Sequence, residues 1–153
     1  MGISYQAPLT PSEIATSIIP AVLDTVAYRN LVNDYMAVVP SCYAVCIKSN
    51  GKFIPAQTDT VQHATVLGLT IEEVAANAVG TIQTFGLFPT TEANWDRVTG
   101  QSGGLTPGLV YYLNVHDPGK ISLVPPTSKF LVVVGKATDP RTLLIDLVLP
   151  VVF

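Results

Sequence analysis

The segment "YAVCIKSNGKFIPA", Tyr43 to Ala56, constrains the fold more than any other. Two runs rich in β-branched and aromatic residues are joined through Ser49-Asn50-Gly51. Asn-Gly between such runs is the strongest short-range signal for a β-hairpin, because both residues tolerate the positive φ of a tight turn. The chain turns back here and continues through "HATVLGLTI" and "GTIQTFGLF", further apolar runs punctuated by glycine and proline. The prediction is an all-β fold, a barrel or sandwich of short strands.

The later part of the sequence follows the same design. In "LVYYLNVHDPGKISLVPP" and "FLVVVGKATDPRTLLIDLVL", as in the earlier part, a β-run leads to a turn ending in Gly-Lys (Gly51-Lys52, Gly119-Lys120), and a β-run then closes at proline (Pro55, Pro125). Gly68 and Gly135 follow their turn glycines at nearly the same interval, and a last strand holds Ile82 or Ile145. The match fits two similar halves from a duplicated β-unit. It equally fits the apolar runs and glycines that any two hairpins share.

The first forty residues differ. "TPSE" at Thr10 to Glu13 has the form of a capping box, with Pro11 at the first helical position, and predicts a short helix from about Pro11 to Ile19. Pro20 interrupts it. The next segment, "AVLDTVAYRNLVNDYM", places Val22, Val26, Arg29 and Val32 on one side, a mixed face that supports a second helix only weakly. "MGISYQAPL" has no regular pattern and reads as an extended arm, while Pro40 punctuates the entry into the strands. The expected division is residues 1–40 as N-terminal arm with a short helical segment and 41–153 as a β-barrel-like domain. "IEEVAANAVG" is either a helical turn or a polar loop.

At 153 residues the chain suffices for one domain plus an arm. It is 48% hydrophobic and only 12% charged, where about 25% charged is usual. The longest apolar stretches are broken by Asp146 and Pro150, and none reaches the roughly 18 residues of a spanning helix. No membrane partner is therefore expected; the surplus apolar surface fits a protein covered by other subunits. A net charge of −3, with basic residues scattered singly from Arg29 to Arg141, gives no electrostatic footprint for nucleic acid. No basic region precedes an apolar core at the N-terminus, so no secretory signal is expected.

Reactive groups do not converge. Cys42 and Cys46 fall in a predicted strand on one face and read as buried thiols, since no further cysteine or nearby histidine completes a metal set. His116 belongs to the "NVHDPG" turn, where Asp117 and Pro118 have turn roles, and no "GxSxG"-like nucleophile accompanies it. His63 reads as a surface or partly satisfied histidine. Glu72 and Glu73 are consecutive, which rarely gives the facing geometry of an acid/base pair. Asp139-Pro140-Arg141 resembles a turn with an exposed ion pair. "TGQSGGLTPG" lacks the Gly-Lys-Ser/Thr of a phosphate loop and runs into a β-run rather than a helix, so it reads as a flexible connector. Trp95, the only tryptophan, is expected in a polar loop, where it either closes the core edge or anchors a partner. Neither enzymatic activity, a cofactor nor a metal is expected.

"GLTPGLVYYLN", "GKISLVPP" and "VVVGKATDPRTLLIDL" resemble modules of tailed-bacteriophage virion proteins, matched here at Gly104 to Gly108, Tyr111 to Leu113, Gly119 to Pro126, Val134 to Ala137 and Leu143 to Ile145. The earlier half, "GKFIPA" through "VLGLTIEEVAANAVGTIQTFG", is similar to the β-barrel part of phage head decoration, or cement, proteins. The resemblance covers about residues 41 to 150. It implies a structural protein with no catalytic residues, made in the host cytoplasm and placed on the capsid exterior of the virion. Its implied partners are the major capsid protein and itself, as a homotrimer over local three-fold points of the head. Related modules in fibres and tails imply the alternative of a fibre, spike or tail accessory module binding a host or a carbohydrate. The expected capsid or subunit contacts are Ile3, Tyr5, Leu9, Ile14 and Ile18 of the arm, together with Trp95. An arm lying over a neighbour would add linkage without a larger domain.

Overall fold

The computed structural model describes residues 26–152. The arm helix predicted at Pro11 to Ile19, and the contact residues Ile3, Tyr5, Leu9, Ile14 and Ile18, lie outside the described residues. In chain order the elements are β1 (Ala27–Val32), β2 (Ala44–Ile47), β3 (Phe53–Pro55), α1 (Val61–Ala64), β4 (Gly68–Thr70), β5 (Val79–Pro89), α2 (Glu92–Thr99), β6 (Val110–Leu113), β7 (Ile121–Ser122), β8 (Phe130–Leu131), β9 (Val133–Asp139), β10 (Thr142–Ile145) and β11 (Val151–Val152). The fold is all-β, with one curled antiparallel sheet and a small β8–β11 ribbon.

Both predicted hairpins form. Asn50-Gly51 turns β2 into β3, with Gly51 at φ 81° and Cys46 and Ile47 opposite Ile54 and Phe53. Pro118-Gly119 turns β6 into β7, with Gly119 at φ 79° and Tyr112 and Leu113 opposite Ser122 and Ile121. The main path through the sheet runs β3-β2-β4-β5-β10-β9-β6-β7. Strands β3-β2-β4-β5 thus recur, in the same connectivity, as β7-β6-β9-β10. The halves meet through the antiparallel pair β5–β10, Phe88 opposite Leu143, which gives the sheet an approximate two-fold axis at its centre. The glycines keep equivalent places: Val45 lies opposite Gly68 and Tyr111 opposite Gly135. A Cβ at Gly68 would collide with the Gln83 carbonyl, and one at Gly135 with the Leu144 carbonyl, so both positions need the bare backbone.

The segment expected as a second helix is instead β1, antiparallel to β5 from Tyr28 opposite Gln83 to Val32 opposite Val79. Its mixed face offers no helical stripe, and the long β5 supplies an edge that satisfies its backbone. Among the described residues, strand pairing is thus already present at Ala27. "HATVLGLTI" is also divided: His63 and Ala64 end α1, and only Gly68–Thr70 pair as a strand. "IEEVAANAVG" contains a loop bridged to the preceding segment by Val74 opposite Val39. Within β5, Thr84 is the extra residue between the Tyr28 and Ala27 pairings, and Gly86 takes φ 93°. This bulge turns the strand from β1 and β4 toward β10. The buried Gln83 amide donates to the Phe85 and Leu87 carbonyls, at 3.1 and 2.8 Å, across the bend.

Alternation along the strands builds two cores. Ala44, Cys46, Ile54, Leu113 and Ile145 join the larger one. Val45, Phe53 and Ile82 form a smaller one with Val39 and Val74, from the segments that follow β1 and β4. Asn33, fully buried, holds that cover in place: its Nδ2 donates to the Val74 carbonyl at 3.0 Å and to that of Ala37 at 3.1 Å. Asp34 accepts from Lys48 Nζ at 2.6 Å and tethers the cover to the end of β2.

The curled sheet closes at one residue. The Gly119 amide donates to the Ala56 carbonyl, and the Gly119 carbonyl accepts from the Ala44 amide, both at 2.8 Å. A Cβ there would lie 2.5 Å from the Tyr43 ring and 3.2 Å from Pro55. Positive φ and close approach together demand glycine.

Candidate functional site

The closure at Gly119 brings loops from both halves together. Gln57 to Asp59, after β3, face the Asn114 to Pro118 turn after β6 and Lys129 before β8. Two adjoining cavities share Asn114, Val115, His116 and Lys129. The larger, about 550 Å³, extends along Ser122 and Val124 to Ser128. The smaller, about 170 Å³, is lined by Gln57, Thr58, Asp59 and Pro118.

Local hydrogen bonds shape the walls. Asn114 Oδ1 accepts from the His116 amide at 2.7 Å and the Asp117 amide at 3.0 Å, an Asx turn that fixes the rim. Asp59 Oδ1 accepts from the Thr60 amide at 2.9 Å and lies 2.9 Å from His63 Nδ1. Desolvation acts to raise the Asp59 carboxyl, but the hydrogen bond and charge of His63, with the local backbone amides, hold it below the ordinary carboxylate range. Thr60 Oγ1 caps α1 by accepting from the His63 amide at 3.1 Å. Thr58 is 2% exposed, and its hydroxyl has no hydrogen-bond partner among the described residues. Lys129 stands at φ 63° and has no carboxylate within 4.0 Å among the described residues.

The groove offers hydrogen-bond donors, one cationic side chain and the Asp59 carboxylate. His63 is paired with Asp59, and His116 lies exposed on the rim. Cys42 and Cys46 are buried free thiols, although Cys42 occupies the turn before β2 at φ 68° rather than a strand. Burial raises the Cys42 thiol and pushes that of Cys46 up to about 11, so neither is an available thiolate at neutral pH. Among the described residues no three His, Cys, Asp or Glu side chains stand close enough to hold a metal ion. No described helix is long and apolar enough to cross a membrane.

Other sequence expectations change place. Trp95 lies on α2, not in a polar loop, and is completely buried. Its ring meets Phe88 edge-on at 5.6 Å, and Nε1 donates to the Arg141 carbonyl at 2.8 Å. It closes the core and has no surface left for a partner, which corrects the expectation of a contact at Trp95. The cues for α2 were Thr91, whose hydroxyl accepts from the Asn94 amide at 3.2 Å, and Gly100, the left-handed cap at φ 73°. The expected flexible connector is tied down: the amides of Gly103 and Gly104 donate to the Asp96 carboxylate at 3.2 and 2.7 Å. Tyr111 Oη further accepts from the Thr106 amide at 2.8 Å and donates to Gln101. Asp139 bonds the Arg141 backbone amide at 2.8 Å, while the Arg141 guanidinium lies 4.0 Å from Glu92. The Asp139–Arg141 ion pair is thus replaced by a turn cap.

A second feature lies away from the groove. β1 pairs only with β5, and its other edge has no strand partner among the described residues. Around this edge strand, Tyr28 is 52% exposed, Val79 65% and Phe85 40%, and Tyr28 shares a shallow cavity with Ile71. No protein-family model matches the chain, and no curated protein does.

Proposed function

We propose that the chain is a structural virion component, a decoration or cement protein that binds the outside of a phage capsid and stabilises it. Its partners are the major capsid protein and further copies of itself, and its role is non-catalytic. The observation that carries this reading is the edge of β1, unpaired among the described residues and flanked by exposed Tyr28, Val79 and Phe85. An apolar edge strand is a template for pairing with another chain, and a free monomer normally blunts it with charge or proline. On β1 itself Arg29 is the single charge, beside exposed Tyr28. A sheet pinned at Gly119 suits a shell component, because its contacts form on a rigid frame. The test is co-sedimentation of purified protein with expanded heads lacking it. Decoration predicts copy numbers that scale with the capsid lattice and a raised temperature of head disruption.

The groove beside His116 favours a second reading, a fibre, spike or tail accessory module with a ligand-binding role. That reading predicts a few copies bound to tails and none on heads.

A further inference from the structure

We propose that the groove at the closure of the sheet binds an oxyanion, with Lys129 as the counter-charge and the Thr58 hydroxyl and Asn114 amide as hydrogen-bond donors. Three observations lead there. First, Thr58 lines the smaller cavity, is 2% exposed, and leaves its hydroxyl without a partner among the described residues. A buried hydroxyl left unpaired is costly, and native proteins rarely keep one unless something completes it. Second, two further polar groups on the wall have unfilled donors. Asn114 Oδ1 is already taken by the amides of His116 and Asp117, leaving its NH₂ group, and Lys129 has no carboxylate within 4.0 Å among the described residues. Third, the one acid on the wall, Asp59, has its Oδ1 engaged by both His63 and the Thr60 amide, so part of its charge is offset within the protein.

What complements such a wall is an acceptor-rich group carrying negative charge, held by charge-assisted hydrogen bonds. Neither cavity has a Phe, Tyr or Trp ring on which a sugar face could stack. The loops carrying Thr58 and Asn114 are both fixed by the Gly119 hydrogen bonds, so the donors are positioned before the ligand arrives. Phosphate and carboxylate share this chemistry: the first as a free ion, the second on a partner's aspartate or glutamate. The proposal stands whether the chain sits on a head or a tail.

The test is a ¹⁵N amide titration of the full chain with sodium phosphate and, in a separate arm, with N-acetyl-aspartate amide, each against sodium chloride at matched ionic strength. Saturable shifts at Thr58, Asn114, His116 and Lys129 in either arm are expected. Phosphate alone would identify a free ion, and the aspartate derivative a partner's side chain. Lys129→Gln should weaken binding about tenfold, and Thr58→Val several-fold, with the remaining spectrum unchanged in both. Shifts no different from those in chloride, or binding indifferent to both substitutions, would overturn the assignment.

Discussion

In the first half of the sheet, β2, β3 and β4 are buried on both faces, whereas β6 and β10 in the second half alternate between buried and partly open positions. Strand order, hairpin register and the places of Gly68 and Gly135 are nevertheless shared. The repeated frame therefore sets connectivity, and what is laid over it sets burial. The first half carries the cover that begins at β1 and is fastened by Asn33 and Asp34. The second half, without that cover, supplies the Asn114 turn and the Val124 to Lys129 segment that line most of the groove. A strand buried on both faces loses its alternating pattern, and that separates the two halves in sequence.

The contrast can be broken most forcefully at the second core. Phe53→Ala should cost about 4 kcal/mol in urea unfolding, and Ile121→Ala at the matching hairpin position about 3 kcal/mol. The sharper readout is amide exchange at Val39: Phe53→Ala should accelerate it beyond the global effect, and Ile121→Ala should not. Equal behaviour would mean that the cover is not a separate layer.

The paired turn glycines come next. A Cβ added at Gly51, where φ is 81°, would meet nothing within 4 Å, whereas one at Gly119 would lie 2.5 Å from the Tyr43 ring. Gly51→Ala should cost about 1 kcal/mol for the left-handed backbone. Gly119→Ala should cost about 3 kcal/mol or more, because overpacking at the closure is added. Similar urea midpoints would show that Gly119 does not close the sheet.

A smaller effect should follow pH. The hydrogen bonds of Lys48 and Asn50 lead in holding the Asp34 carboxyl below its ordinary value, and His63 opposes burial to leave Asp59 lowered as well. A carboxyl depressed in the folded state adds stability that is fully present above the unfolded value, about 3.9, and is lost as pH falls through the folded value. Urea midpoints should therefore fall below about pH 4, and Asp34→Asn should flatten part of that slope. The smallest change expected is a gain: Thr58→Val should raise stability by about 1 kcal/mol without added anion, by removing an unpaired buried hydroxyl.

Much of the frame was legible because it is locally encoded. Asn50-Gly51 and Pro118-Gly119 carry their turns in adjacent residues, and the recurrence of Gly68 and Gly135 reports a close strand approach that tolerates no side chain. β1 was not legible, since "AYRNLV" becomes a strand through the edge that β5 offers rather than through its own pattern. The tryptophan misled for a similar reason: polar neighbours on α2 surround Trp95 in sequence, while Phe88 and the Arg141 carbonyl receive it in space. Asp59 and His63 had a signal in their i,i+4 spacing across a threonine cap. Thr58 and Lys129 had none, because the closure at Gly119 creates their cavity from distant loops.

The central functional claim is that the apolar edge around β1 is covered in the assembled particle. Hydrogen exchange of the full chain, free in dilute solution and after incubation with expanded heads, tests it most directly. The account predicts saturable binding to heads, with slowed exchange at Tyr28 to Val32, Val79 and Phe85 and little change at Leu113 or Ile145, which are already buried. Failure to bind heads, or bound protein whose β1 amides exchange as fast as in the free chain, would contradict it.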